Sequence, residues 1–276
     1  MKSILFKYIS LALVLTFFSP EAKEFQGKAI YYSKSKLELG RWGARMSEAQ
    51  KKQIKARLKN RLEKEYVLVF NKEASFFKEE EKIDAISGAT DSWGKNFSQG
   101  DLYKNIKKNQ LVQSQEFYGK KFLVKDNLQK IAWKIEKESK KIGQYLCFKA
   151  TAAIPTKELT WYNFSWSDLR KSETKKDSIT KEGKKMIEGM TFVEAWYTPQ
   201  IPVSNGPGEY WGLPGLILEV SAGDRVMLCS KVIINPKEKI EIEIPEKGEE
   251  ITKSAYQKTI REKMVEMRNN RGRRRR

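Results

Sequence analysis

The sequence predicts a mainly β protein: a single curved antiparallel sheet or half-barrel with an early helix and a C-terminal helix. Short segments rich in β-branched and aromatic residues recur along the chain, separated by turn-forming residues. Helix-forming composition is concentrated in one segment near each end. No repeat of fixed period is present, and the strand pattern crosses the middle of the chain without a break. We therefore predict one β-rich domain over residues 23–250, followed by a helix and an Arg-rich tail over 251–276.

The N-terminus has the pattern of a secretory signal peptide. Lys2 and Lys7 precede an apolar run over 8–18, which is shorter than the roughly 20 residues that a membrane span needs. We predict a signal peptide over 1–22 and export to the periplasm or cell envelope. The alternative is an uncleaved N-terminal anchor. A lipoprotein is not expected, because no cysteine follows the apolar run.

The first half of the predicted domain contains one helix and several strands. Residues 25–33 predict the first strand. Ser47 is a suitable N-cap for a helix over Ser47–Glu65, of which one sparse apolar stripe can dock. Further strands are predicted over 66–71, 74–80, 102–107, 110–118, 120–124, 130–138, 144–151 and 160–164, with a long loop over 81–101.

The second half begins with a polar segment over 167–189, predicted to be a surface excursion. Within it, Asp177-Ser178-Ile179 resembles a bacterial O-glycan acceptor. The β pattern then resumes and predicts strands over 190–198, 216–220, 225–234 and 240–244, before an amphipathic helix over 254–268.

Composition excludes several kinds of catalytic site. The chain has no histidine, which excludes Ser-His-Asp and Cys-His triads and every imidazole metal site. No phosphate-binding glycine loop or metal-ligand spacing is present, so no cofactor and no metal are predicted. Glu194 and Glu219 flank the most informative loop in apolar strands, but period-2 alternation favours a solvent-facing position. An envelope hydrolase using carboxylates or a Ser/Lys pair is therefore the alternative, and a non-catalytic binding module is the main prediction.

The net charge of +19 is concentrated in part at the C-terminus, where residues 251–276 hold ten Lys or Arg and two acidic residues. The tail over 271–276 has no neighbouring aromatic residue, which disfavours nucleic acid as a partner. Either this tail is a solvated end, or it binds an anionic envelope surface. A lipid or an outer-membrane protein is the other predicted partner.

The most informative stretch of the sequence runs over 195–220. Pro214-Gly215 suits the central positions of a type II turn, in which glycine supplies a positive φ. Two interpretations of the stretch are open. Its aromatic residues plug the end of a β-barrel-like core, or a glycine-rich loop presents them to a hydrophobic ligand or a partner.

Residues 212–217 spell GLPGLI, and with the upstream Ala195-Trp196-Tyr197-Thr198 they resemble the GLPGLI family, also called Porph_ging. The resemblance implies an exported, β-rich single domain and implies no activity. The order of helix, strands and helix is also similar to the half-barrel lipoprotein carriers LolA and LolB, by analogy only. The candidate ligand-binding or motif-loop residues are Trp196, Tyr197, Gly206, Pro207, Tyr210, Trp211, Gly212, Leu213, Pro214, Gly215, Leu216 and Ile217.

Cys147 and Cys229 are the only cysteines, and both fall in predicted strands. An oxidising envelope favours a disulfide between them. The alternative is that both are small buried side chains on strands that are not adjacent.

Overall fold

A computed structural model describes residues 24–37, 39, 43–80, 99–163 and 189–273, without the side chains of 60, 61 and 271–273. The predicted signal peptide, most of the predicted loop over 81–101 and Ser178 with its neighbours lie outside the described residues.

Within the described residues, twelve strands form one open sheet in the order β12-β6-β5-β4-β3-β2-β1-β11-β10-β9-β8-β7. The predicted mainly β class is confirmed, whereas the likeness to LolA and LolB stays an analogy. Neighbouring strands are antiparallel except β12 and β6, which are parallel. The strands are β1 (Gln26–Ser35), β2 (Glu63–Asn71), β3 (Ala74–Glu79), β4 (Leu102–Asn105), β5 (Gln110–Phe117), β6 (Lys120–Asn127), β7 (Lys134–Ile142), β8 (Tyr145–Pro155), β9 (Met190–Thr198), β10 (Leu216–Ala222), β11 (Arg225–Ile234) and β12 (Glu249–Ile251).

Few helices accompany the sheet. They are α1 (Glu48–Arg57), α2 (Lys59–Leu62), α3 (Thr156–Leu159) and α4 (Lys253–Arg273). Ser47 caps α1 as predicted, since its side chain accepts from the Gln50 amide while the Gln50 side chain accepts from Ser47. The predicted docking stripe is only partly buried: α1 buries no residue fully, and Ile54, Leu58 and Leu62 are half-buried. Among the described helices, none combines the length and apolar character needed to cross a bilayer.

One residue shows that the sheet curves strongly. The Asn205 carbonyl accepts from the Ile217 amide of β10 at 3.0 Å, and the Asn205 side chain accepts from the Ser75 hydroxyl of β3 at 2.9 Å. Four strand spacings separate β10 from β3, which is roughly 19 Å in a flat sheet. A single asparagine cannot span that distance. The sheet therefore wraps around the segment 199–215, and we call the wrapped side its inner face.

The main core lies on the inner face. Alternate residues of the central strands point there and are fully or nearly fully buried, because the pleat directs every second side chain to the same side. They include Tyr31, Leu68, Phe77 and Leu102. Beside this core, α4 packs Tyr256, Ile260 and Met264 against Phe117, Phe122 and Val124 of β5 and β6.

Three predicted strands differ in the structure. Residues 240–244 form no strand: Ile242 packs on an outer-face cluster of Ala74, Phe76, Tyr103, Val112 and Leu123. The strands that this segment covers already have a hydrogen-bonding neighbour on each side. The segment therefore keeps its alternating side-chain pattern but pairs with no strand.

The other two differences lie near β8. Residues 156–159 form α3, and 160–163 continue as a turn where a strand over 160–164 was predicted. The aromatic residues of this segment predicted a strand, because such residues are common in strands. Packing against the rest of the protein determines its structure instead. The strand predicted over 130–138 begins at Lys134 and runs to Ile142, because Trp133 turns inward to dock on Trp211.

Candidate functional site

The segment 199–215, which we call the motif loop, enters the curve of the sheet and returns to β10. Backbone bonds from Leu216 to the Ile201 carbonyl and from Gly212 to the Ser204 carbonyl close it internally. Ile201, Val203 and Leu213 are buried in the main core. The loop is therefore a packed part of the interior, with a fixed backbone path.

The turn at Pro214 differs from the prediction. The Gly215 amide bonds to the Leu213 carbonyl at 2.8 Å, which is a three-residue turn centred on Pro214. Gly215 does not adopt a positive φ; the positive φ of 93° belongs to Gly212. The type II prediction is wrong. Glycine is required at 215 because a Cβ there would meet the Thr198 carbonyl oxygen at 2.2 Å.

Lys104 of β4 fastens the motif loop to the opposite side of the sheet. Its side chain is fully buried, and its ammonium donates to the Gly206 carbonyl at 2.9 Å and the Tyr210 carbonyl at 3.1 Å. Burial lowers the pKa of Lys104 to about 7, against a smaller opposing effect of the Glu209 charge. Sequence inspection gave no signal for this contact, because Lys104 lies in an ordinary alternating strand.

Most aromatic residues of the predicted site are structural. Tyr197 is buried on the inner face. The Trp211 indole donates to the Gln129 carbonyl at 2.8 Å, and its own carbonyl accepts from the Trp133 indole at 2.8 Å. Trp196 lies on the outer face, with the Lys140 ammonium 4.2 Å from its ring centroid.

Most of the other predicted residues of the loop also pack inward, whereas Gly212 and Pro214 are exposed. Pro207 is buried beside Gly206, and Leu216 and Ile217 are completely buried at the start of β10. Of the predicted aromatic residues, Tyr210 is the one that the loop brings to a charged group.

That charged group is Arg225, at the first position of β11. Its Nε donates to the Ser33 hydroxyl at 3.0 Å and its Nη2 donates to the Tyr66 hydroxyl at 3.0 Å. The Tyr162 hydroxyl is a further hydrogen-bonding neighbour, and Tyr210 is close enough to act on the guanidinium electrostatically. We call Arg225, Ser33, Tyr66, Tyr162 and Tyr210 the Arg225 cluster.

The Arg225 cluster is half-open and stays positively charged. Arg225, Tyr162 and Tyr210 are half-buried, whereas Ser33 and Tyr66 are buried. Burial raises the pKa of all three tyrosines, so their hydroxyls remain neutral at physiological pH. Burial disfavours the charged Arg225, but its tyrosine neighbours outweigh this effect and raise the pKa. No local sequence pattern indicates this cluster, because it joins residues from distant segments.

Glu209 connects the motif loop to the C-terminal helix. One of its carboxylate oxygens accepts from the Trp161 indole and the other from the Lys253 ammonium, each at 2.5 Å. The Lys253 ammonium also lies 5.3 Å from the Trp161 ring centroid. Since Lys253 begins α4, this ion pair holds the start of that helix against the loop.

Glu194 and Glu219 lie on the outer face and pair with different lysines. Glu219 bonds Lys140 at 2.7 Å, and Glu194 bonds Lys149 at 3.1 Å. They do not meet in a shared buried cleft. In the described ranges, no group of three potential metal ligands is close enough to hold an ion.

Cys147 and Cys229 are both free and buried. Burial raises the pKa of Cys147 to about 11 and that of Cys229 to about 12. Thiols with such pKa values are weak nucleophiles at neutral pH.

Comparison with known proteins identifies one segment. Residues 133–219 match the model of a family described as "Protein of unknown function (Porph_ging)". No curated protein matches the sequence.

Solved structures give a distant likeness. A structure of PNGF-II in the C2 space group is 16% identical with a TM-score of 0.49, covering 86% of this chain and 32% of that chain. A P21 structure of PNGF-II is 16% identical with a TM-score of 0.48, covering 84% and 32%. The chain thus spans about a third of the length of PNGF-II.

Proposed function

We propose that this chain, which belongs to the GLPGLI (Porph_ging) family through residues 133–219, is a non-catalytic binding module of the bacterial cell envelope. Its ligand site is the Arg225 cluster. The observation that carries the proposal is the convergence of side chains from β1, β2, β11, the turn after α3 and the motif loop on one half-buried guanidinium. Charged and aromatic groups that converge in this way are typical of binding sites.

Side chains fill the space that the curved sheet encloses, which supports a ligand site at the end of the inner face rather than inside the curve. Ile201, Val203 and Leu213 occupy the space that an acyl chain would need inside the sheet. The half-buried rings of Tyr162 and Tyr210 offer apolar area beside the charged group. We therefore place the hydrophobic part of a ligand against these two rings.

Native mass spectrometry of protein purified from the envelope of its own host tests this proposal. The wild-type protein should carry a co-purifying small molecule that is lost in Tyr210→Ala. This variant keeps the backbone carbonyl that Lys104 binds. The matched control is Tyr32→Ala, whose ring is 50% exposed on the outer face. A wild-type protein without ligand, or equal occupancy in Tyr210→Ala, would contradict the proposal.

An outer-membrane partner is the second candidate. Tyr32 of β1 and Leu228 of β11 are directly opposite each other on the outer face, with 50% and 42% of their surface exposed. Such a pair is suited to contact with another protein. A bound protein that is lost in Leu228→Lys but retained in Tyr210→Ala would favour this candidate over the small ligand.

The hydrolase alternative stays a prediction. Activity-based probing of the purified protein tests it directly. Labelling or turnover that depends on Glu194 or Glu219 would favour a catalytic role over the binding module.

A further inference from the structure

The groups that form hydrogen bonds with the positively charged Arg225 side chain are neutral. The hydroxyls of Ser33 and Tyr66 accept hydrogen bonds from it, and the Tyr162 hydroxyl is a third neutral neighbour. Within the part of the chain that the structure describes, no carboxylate lies within ion-pair distance of this guanidinium. A half-buried guanidinium gains from pairing with an anion, which accepts charge-assisted hydrogen bonds.

Glu209 acts electrostatically on Tyr162 and Tyr210 of the cluster, but its carboxylate is already engaged. Both of its oxygens accept short hydrogen bonds, from Trp161 and from Lys253. Lys104 adds a further basic group in the same interior and is held by backbone carbonyls. The described charged groups around the motif loop therefore leave an excess of positive charge.

The guanidinium is also held in a fixed orientation. The Ser33 hydroxyl accepts a hydrogen bond from Nε and the Tyr66 hydroxyl accepts one from Nη2, while the Tyr66 ring centroid lies 5.8 Å from the guanidinium carbon. Arginine has five N–H donors in a rigid planar fork, and that fork matches the two oxygens of a carboxylate or phosphate. The half-buried Tyr162 hydroxyl lies beside the fork with its oxygen towards the guanidinium, which can only donate, so its own O–H can donate to a ligand.

We infer that the Arg225 cluster recognises an oxyanion, a carboxylate or a phosphate group, on the ligand of this protein. The inference rests on the proposed binding function and names the chemical class of the ligand. The fork of Arg225 binds the oxyanion, Tyr162 adds a hydroxyl donor, and the ring of Tyr210 borders the apolar part of the ligand.

Isothermal titration calorimetry with sodium phosphate and with sodium acetate tests the inference, at constant ionic strength with sodium chloride as the reference. At least one of the two anions should bind the wild-type protein, and Arg225→Gln should weaken that binding at least tenfold. The matched control is Arg45→Gln, which removes the same charge from an exposed turn and should bind as the wild type does. Whichever anion binds identifies the group.

A second variant separates lost binding from lost folding. Tyr162→Phe removes one hydroxyl, keeps the ring, and should weaken binding severalfold with an unchanged circular dichroism spectrum. Failure of both anions to bind the wild type, or equal binding by Arg225→Gln, overturns the inference. If a co-purified ligand is nevertheless lost in Tyr210→Ala, the binding function stands and only the oxyanion class is wrong.

Discussion

The ammonium of Lys104 lies 2.9 Å from the carbonyl oxygen of Gly206, and this buried contact joins β4 to the motif loop. The contact crosses the inside of the sheet, so it holds together two parts of the chain that are 102 residues apart. It also places a titratable group where its charged form is disfavoured.

Lys104 should make stability depend on pH. Its pKa is about 7 in the folded protein against 10.5 for an ordinary lysine, so between these values the unfolded chain binds more protons. Stability should therefore rise as the pH increases from about 7 towards 10.5, and below about 7 this contribution should be flat. Urea unfolding across this range measures it. Lys104→Met should remove the rise, whereas Lys34→Met on the exposed surface should retain it; equal slopes in all three proteins would refute the assignment.

Gly215→Ala should be strongly destabilising. The new Cβ would approach the Thr198 carbonyl oxygen to 2.2 Å, so the backbone must shift. We expect a loss of about 2 kcal/mol or more in the free energy of unfolding. Gly223→Ala is the control, because its Cβ meets nothing within 4 Å and only its φ of +60° is strained. That strain costs about 1 kcal/mol. A smaller loss at 215 than at 223 would argue against the close approach.

Glu209→Gln should loosen the start of α4. The substitution removes the charge that pairs with Lys253, while both side chains stay largely buried. We expect about 2 kcal/mol of destabilisation and faster amide exchange in the first turns of α4. Glu266→Gln breaks an exposed pair with Lys263 on the same helix and should change exchange little. Equal exchange in the two variants would mean that Glu209 does not hold the helix.

Cys147 and Cys229 should both be reduced. Denatured, unreduced protein should therefore take up two thiol labels. Native protein should label slowly, because both thiols are buried and their pKa values are raised. Denatured protein without any label would instead indicate a disulfide between the two cysteines.

The sequence predicted most strands because alternation is a local signal. Residues 190–198 and 225–234 have the predicted boundaries, and Ser47 caps its helix as expected. The strand predicted over 240–244 is absent for a physical reason. The segment packs on the outer face of strands that already have neighbours on both sides, so it has no strand to pair with.

The motif loop was recognisable from its sequence, but the role of its residues was not. Pro214 and Gly215 were predicted to occupy the centre of a type II turn, and the chain turns there in a tighter, three-residue form centred on Pro214. Arg225 and Lys104 carried no local signal, because their partners come from strands and loops far away in the chain. Such contacts depend on the curvature of the sheet, which local patterns do not encode.

Indole NMR tests the central claim, that ligand binds at the Arg225 cluster, most directly. The protein is labelled with ¹⁵N at its seven tryptophans and titrated with the small-molecule fraction released from protein purified from its own host. The Trp161 indole N–H donates a hydrogen bond to Glu209 of the motif loop. Trp196 lies on the outer face, and its indole N–H donates to Glu194. We expect the Trp161 Nε1–H signal to shift during the titration and the Trp196 signal to stay in place. A shift of Trp196 alone, or of neither signal, would contradict the account.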